Sequence, residues 1–219
     1  MMTESQLRNE ICRVGRSLFD RGYVHATAGN ISVRLVDGYL ITPTDACLGF
    51  LEPEALAKVD GSGVQIAGER ASKTLALHRR IYDSDDAAMC VIHTHSTHLV
   101  ALTLDGVWRP SDVVPPITPY FVMKVGHVPL IPYHRPGDQA VADLVVDAIK
   151  RMWAANTPIR AVMLDRLGPN VWHSSPAAAM AVLEELEETA RLWLMTKPSP
   201  AALSEEAIQQ LRETFGAVW

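Results

Sequence analysis

The sequence predicts a mixed α/β (α+β) domain of three layers. Three observations predict it. Short strand-like segments cluster between residues 30 and 66 and recur near 90, 130 and 161–173, while helix-period segments lie before, between and after them. No shift in composition separates a second domain, so residues 1–219 are expected to form one unit, with a core from about 5 to 197 and a helical tail from 198 to 219. An apolar run, Met89 to Ile92, ends directly in His93-Thr94-His95.

Taken in order, Leu7, Ile11, Val14 and Leu18 recur at spacings of three and four, which predicts a helix over 3–22 with Thr3 or Ser5 as its cap and Gly22 as its stop. Ala26 to Arg34 passes from small residues into a short alternating strand. Asp37-Gly38 turns the chain into a second strand, Tyr39 to Thr44. That strand ends in a hydroxyl-rich loop, Thr42 to Asp45. Such a loop can hold phosphate through amides and hydroxyls, although a plain turn would read the same. Lys58-Val59-Asp60 and Val64-Gln65-Ile66 form a hairpin across Gly61-Ser62-Gly63. Ser72 then caps a helix, Leu75 to Tyr82; its free N-terminus beside Lys73 suits an anion. His78, on that helix, reads as a packed histidine.

Cys90 to His93 is a strand, and Leu99 to Leu104 a helix. Residues 106–116 form a loop and 117–128 a mixed segment. Val128 to Tyr133 is an edge strand, because its prolines cannot donate to a ladder. Asp138 is expected to cap a helix over Ala140 to Ala154. Strands at Ala161–Leu164 and Val171–His173 follow, then a helix over Ala177 to Met195 whose Glu184, Glu185, Glu187 and Glu188 read as a solvated face. A last short helix starts at Ser204.

The totals bound the function. Net charge is −5, with a sequence pI of about 5.9, which excludes the basic face of a nucleic-acid binder. Apolar residues make up 48% of the chain, yet no run reaches the ~18–20 residues of a membrane span. Cys12, Cys47 and Cys90 are odd in number and far apart, which fits a reducing cytoplasm better than disulfides. No signal peptide is visible. His93 and His95, two apart on an extended segment, put two imidazoles on one side of the chain. That pattern presents two nitrogen ligands to one divalent ion, zinc first among them.

Ala28-Gly29-Asn30-Ile31-Ser32, Ile41-Thr42-Pro43-Thr44, Ser72-Lys73, His78, His93-x-His95 and Ala161 to Leu164 followed by Gly168-Pro169 occur here in one order. Taken together they resemble the class II aldolase/adducin superfamily over about residues 5–197. Thr118-Pro119-Tyr120, Arg135-Pro136-Gly137-Asp138 and Glu184 to Ala190 are similar to its 3-oxo-tetronate 4-phosphate decarboxylase branch. The resemblance implies a central antiparallel sheet flanked by helices, a tetramer, and a small phosphorylated sugar-acid substrate. It places Gly29, Asn30, Thr44, Asp45, Ser72 and Lys73 around the phosphate, and gives Tyr120 the part of a proton donor lent by a neighbouring subunit. Three positions depart from the family pattern. Thr74 stands where an acid–base glutamate is usual, Leu167 where a third histidine ligand is usual, and Asp45 where the phosphate loop has glycine. His134 is then the first candidate to complete the metal site, ahead of His98 and His173. Three readings follow: a metal-dependent decarboxylase, an aldol-cleaving enzyme on a related sugar, and a catalytically silent oligomeric scaffold.

Overall fold

The computed structural model describes residues 2–219. Its spine is a mixed sheet of eight strands in the order β4-β3-β2-β1-β5-β8-β7-β6. The strands are β1 (Asn30–Arg34), β2 (Gly38–Ile41), β3 (Ala57–Asp60), β4 (Gln65–Ala67), β5 (Cys90–His93), β6 (Leu130–Ile131), β7 (Ala161–Leu164) and β8 (Gly168–His173). Every pairing is antiparallel except β6 with β7, which is parallel. The expected antiparallel sheet is therefore corrected at its proline-bearing edge. There β6 follows α4 and runs beside β7 in the same direction.

Seven helices cover the sheet: α1 (Glu4–Asp20), α2 (Leu75–Ser84), α3 (Thr97–Asp105), α4 (Pro119–Lys124), α5 (Ala140–Ala154), α6 (Pro176–Met195) and α7 (Glu205–Phe215). Strand alternation sorts the core into two layers. Ile31, Val33, Cys90, Ile92 and Val171 face one way, onto Ile11 and Leu18 of α1, Leu99 and Leu102 of α3, and Leu183 and Leu186 of α6. Val91, Val162 and Trp172 face the other way, onto Ile81 and Tyr82 of α2 and Val145 and Ile149 of α5. Burying a Leu, Ile or Val side chain of this kind contributes about 1.5–3 kcal/mol.

Local chemistry sets the element ends. At α1 a reciprocal cap forms: the Thr3 hydroxyl accepts from the Gln6 amide at 3.3 Å, and the Gln6 side chain accepts from the Thr3 amide at 2.8 Å. Ser175 and Ser204 cap α6 and α7 through their hydroxyls. Two expected caps are corrected. Thr74, not Ser72, is the residue before α2, and its hydroxyl does not cap the helix. Gln139, not Asp138, precedes α5; Asp138 still accepts from the Ala140 amide at 3.1 Å, from one residue further out. β8 begins at Gly168 rather than at Val171, because Pro169 spends no amide and its carbonyl pairs with Thr94.

Two glycines bring the strand ends together. Gly29 has φ +87°, and a Cβ there would lie 2.8 Å from the His93 carbonyl. Gly168 has φ +134°, and a Cβ there would meet the Thr94 carbonyl at 1.9 Å. Both positions require the left-handed freedom and the absent side chain of glycine. They pack the start of β1 and the start of β8 against the two flanks of the His93–His95 segment.

Candidate active site

At this end of the sheet, β1 and β8 start while β2, β5 and β7 finish, and α2 and α3 begin beside them. β5 ends at His93, so His95 lies two residues past it. The two rings nonetheless meet edge to face with centroids 5.0 Å apart. Nδ1 of His93 is 2.8 Å from the Pro169 carbonyl. A carbonyl only accepts, so Nδ1 carries the proton and Nε2 keeps its lone pair, the tautomer a metal-binding imidazole needs. Burial, then the neighbouring His95, pushes the His93 pKa down to about 4. Burial and the nearby His25 lower that of His95. Both rings are therefore neutral near pH 7, ready to give electron pairs to a cation.

The donor set fits a divalent ion in part. Among the described residues no group of three His, Cys, Asp or Glu side chains converges. Leu167 and Thr74 offer neither imidazole nor carboxylate. His134 does not join such a group within one chain; it follows β6, and its Nδ1 donates to the Pro132 carbonyl at 2.8 Å, the same tautomer as His93. His98 and His173 do not join one either; the Nδ1 of His98 is 2.8 Å from a Glu187 carboxylate oxygen and that of His173 is 2.9 Å from the Ser174 hydroxyl.

On the β1 flank the expected anion-binding residues come together through the backbone. The Ser72 amide donates to the Thr42 carbonyl, the Thr44 amide donates to the Arg70 carbonyl, and Pro43 and Ala71 form a β-bridge. Ser72 and Thr74 share a hydrogen bond between hydroxyls at 2.9 Å. Asp45 is exposed with φ +58°, so its carboxylate stands at a tight left-handed turn. Lys73 is exposed at the start of α2. Tyr120 is 60% exposed on α4, which packs on α6 and α7.

Sequence reading missed several groups. Asn30 pairs with His93 across β1–β5, and His93 pairs with Asn170 across β5–β8, so three polar side chains stand in one row on the face covered by α2 and α5. The Asn30 Oδ1 and both polar atoms of the Asn170 side chain are buried without partners, as is Nε2 of His78. His78 is packed as expected, but only half satisfied: its Nδ1 bonds the Ser32 hydroxyl, which in turn bonds Tyr82. Asn170 lies in the part of β8 that precedes the expected strand, Val171–His173. Glu187 corrects the solvated acidic face. It is 7% exposed and accepts from the amides of His98 and Leu99 and from the His98 ring, holding the first turn of α3. On the β8 flank a cleft of about 390 Å³ opens beside His95, lined in part by His25, Val100, Leu104, Arg166 and Leu167.

The family model for the class II aldolase and adducin N-terminal domain matches residues 9–194. A 3-oxo-tetronate 4-phosphate decarboxylase of Cupriavidus necator is 58% identical over 100% of both chains. Another, from Escherichia coli, is 39% identical over 95% of this chain and 96% of its own. The crystal structure of YgbL from Klebsiella pneumoniae, 40% identical, superposes with a TM-score of 0.88 over 97% of this chain and 100% of its own. An L-fuculose 1-phosphate aldolase, 24% identical, shares the fold with a TM-score of 0.81 over 98% of each chain. With eight strands in this order, the histidine pair at their end and these matches across the chain, the protein belongs to the class II aldolase and adducin family.

Proposed function

We propose that this chain is a carbon–carbon lyase that converts 3-oxo-tetronate 4-phosphate to dihydroxyacetone phosphate and carbon dioxide. The observation that carries the reading is the 58% identity to a decarboxylase of that substrate over the full length of both chains. The neutral, oriented His93 and the adjacent His95 support it, since together they fit two ligands of a divalent ion, with zinc the first choice. When bound, such an ion supplies positive charge opposite the oxygen on which negative charge develops as the bond breaks.

The rest falls to the chain's own residues. Gly29, Asn30, Thr44 and Ser72 hold the phosphate, with Lys73 adding charge and the Asp45 turn closing the loop. The bond between the carboxylate carbon and C2 breaks, and its electron pair moves into the C3 carbonyl to give an enediolate. C2 then takes one proton. Tyr120 of a neighbouring copy gives that proton in a homotetramer, which accords with its exposure on α4. Thr74 cannot accept a proton near neutral pH; its hydroxyl instead holds Ser72. A 3-oxo acid needs less acid–base help than an aldol, because the carbonyl β to the carboxylate already accepts the electron pair. The loss of the glutamate at position 74 is therefore tolerable for this reaction. The reading places one catalytic unit over residues 1–219, working in the cytoplasm.

Incubation of zinc-supplemented protein with 3-oxo-tetronate 4-phosphate should release the two products in equal amounts. Failure to release either would overturn the reading. A second reading, aldol cleavage of an unphosphorylated sugar, is favoured by the exposed Asp45 carboxylate beside Thr44; aldehyde release without carbon dioxide would select it.

A further inference from the structure

We infer that the cleft on the β8 flank of His95 is the carboxylate subsite, with Arg166 as the residue that reads the charge. This rests on the decarboxylase reading and names where the departing group lies. The phosphate residues stem from the start of β1, the loop after β2 and the approach to α2. The His pair ends β5, and Arg166-Leu167 forms the turn from β7 into β8. Phosphate loop, histidine pair and cleft thus follow one another along the sheet end. They are separated by the spacing of neighbouring strands, about 4.8 Å each. A substrate with phosphate at one end, a carbonyl in the middle and a carboxylate at the other end lies across them in that order.

The chemistry of the cleft matches an anion that becomes a neutral gas. Arg166 lines it, and its guanidinium has no carboxylate partner among the described residues. Its backbone is fixed: φ is +60°, and its amide donates to the Thr103 hydroxyl at 3.0 Å. His25 and His95 line the same cleft as Arg166. The walls are apolar, with Val100 and Leu104 on α3 and Leu167 packed against the α2/α5 core. An apolar wall strengthens the contact between guanidinium and carboxylate. Once the bond breaks, carbon dioxide carries no charge, so Arg166 loses its partner and the walls suit the product. Leu167 is then a part of the subsite rather than merely a missing ligand.

The test is isothermal titration of the zinc-loaded full chain with two probes, 4-phospho-erythronate, which keeps the carboxylate but has no 3-oxo group, and dihydroxyacetone phosphate, which has lost it. Arg166→Gln should raise Kd for the acid by about tenfold or more, the loss of one charge-assisted contact, while leaving that for dihydroxyacetone phosphate unchanged. Leu104→Asp, which sets a carboxylate in the opposite, exposed wall, should do the same. Equal weakening of both probes, or no change for the acid, would overturn the inference. If the wild type neither releases carbon dioxide nor binds either probe, the decarboxylase reading falls and this inference falls with it. If the wild type decarboxylates and Arg166→Gln binds the acid normally, only this inference falls.

Discussion

The two flanks of His93 are built from opposite materials. On the β1 side, hydroxyls, an amide side chain and a bridge between residues 43 and 71 form a polar, backbone-rich cradle. On the β8 side, one guanidinium lines a cleft with Val100, Ala101, Leu104 and Leu167, beside His25 and His95. A cradle of neutral donors suits a phosphate, whose three oxygens take many hydrogen bonds. A single cation in apolar walls suits a group that needs to be held while charged and released when neutral. The departures from the family pattern fall on both flanks, Asp45 and Thr74 on the β1 side and Leu167 on the β8 side.

His93 is shared by both flanks, so its removal should have the largest effect. His93→Ala should lower kcat/KM by on the order of 10³-fold, about 4 kcal/mol, and should lower bound zinc measured by elemental analysis. Activity retained with the metal lost would detach the histidines from the chemistry.

The next largest effect is on stability. Burial holds the pKa of His78 at about 3 and that of His93 at about 4 in the folded chain, against 6.5 for the free side chain. Above pH 6.5 neither state takes the proton and the contribution is complete. As pH falls below 6.5 the unfolded chain is protonated first, so stability is lost toward pH 4. Metal-free protein should lose a few kcal/mol in urea unfolding between pH 7.5 and 5, and His78→Gln should remove part of that dependence. A flat profile would contradict the buried, neutral assignment.

Glu187→Ala should act on one flank alone. It leaves two amides at the start of α3 without a buried acceptor and should cost about 2–3 kcal/mol in thermal or urea unfolding. It should also weaken 4-phospho-erythronate more than dihydroxyacetone phosphate, because α3 carries Val100 and Leu104. Ser72→Ala should act on the other flank with the smallest effect. It should raise KM for phosphorylated substrate about five- to tenfold, one hydrogen bond to a charged group, while leaving kcat nearly unchanged. A variant on either side that weakens both probes alike would merge the two flanks into one.

Periodicity carried much of the architecture. α1, α5 and α6, and the strands at β1, β5 and β7, follow from apolar spacing because burial on one face is what makes those segments stable. The resemblance to the family located the polar cradle. What the sequence did not disclose depends on contacts between distant segments. The parallel pairing of β6 with β7 has no local signature. Arg166 and His25 lie in loops, where no period marks them. Glu187 could have been found: with Leu183 and Ala190 it occupies the buried stripe of α6 at spacings of four and three, and a carboxylate there demands donors, which the start of α3 supplies.

The central claim, that His93 and His95 support loss of the carboxylate from a phosphorylated 3-oxo acid, is tested most directly by carbon-13 NMR. Substrate labelled at the carboxyl carbon would be followed with zinc-loaded wild type and with His93→Ala. The account predicts that the label appears as carbon dioxide and bicarbonate with wild type, in step with unlabelled dihydroxyacetone phosphate, and stays in the substrate with the variant. Label that remains in a shortened acid or aldehyde, or release by the variant at the wild-type rate, would contradict it.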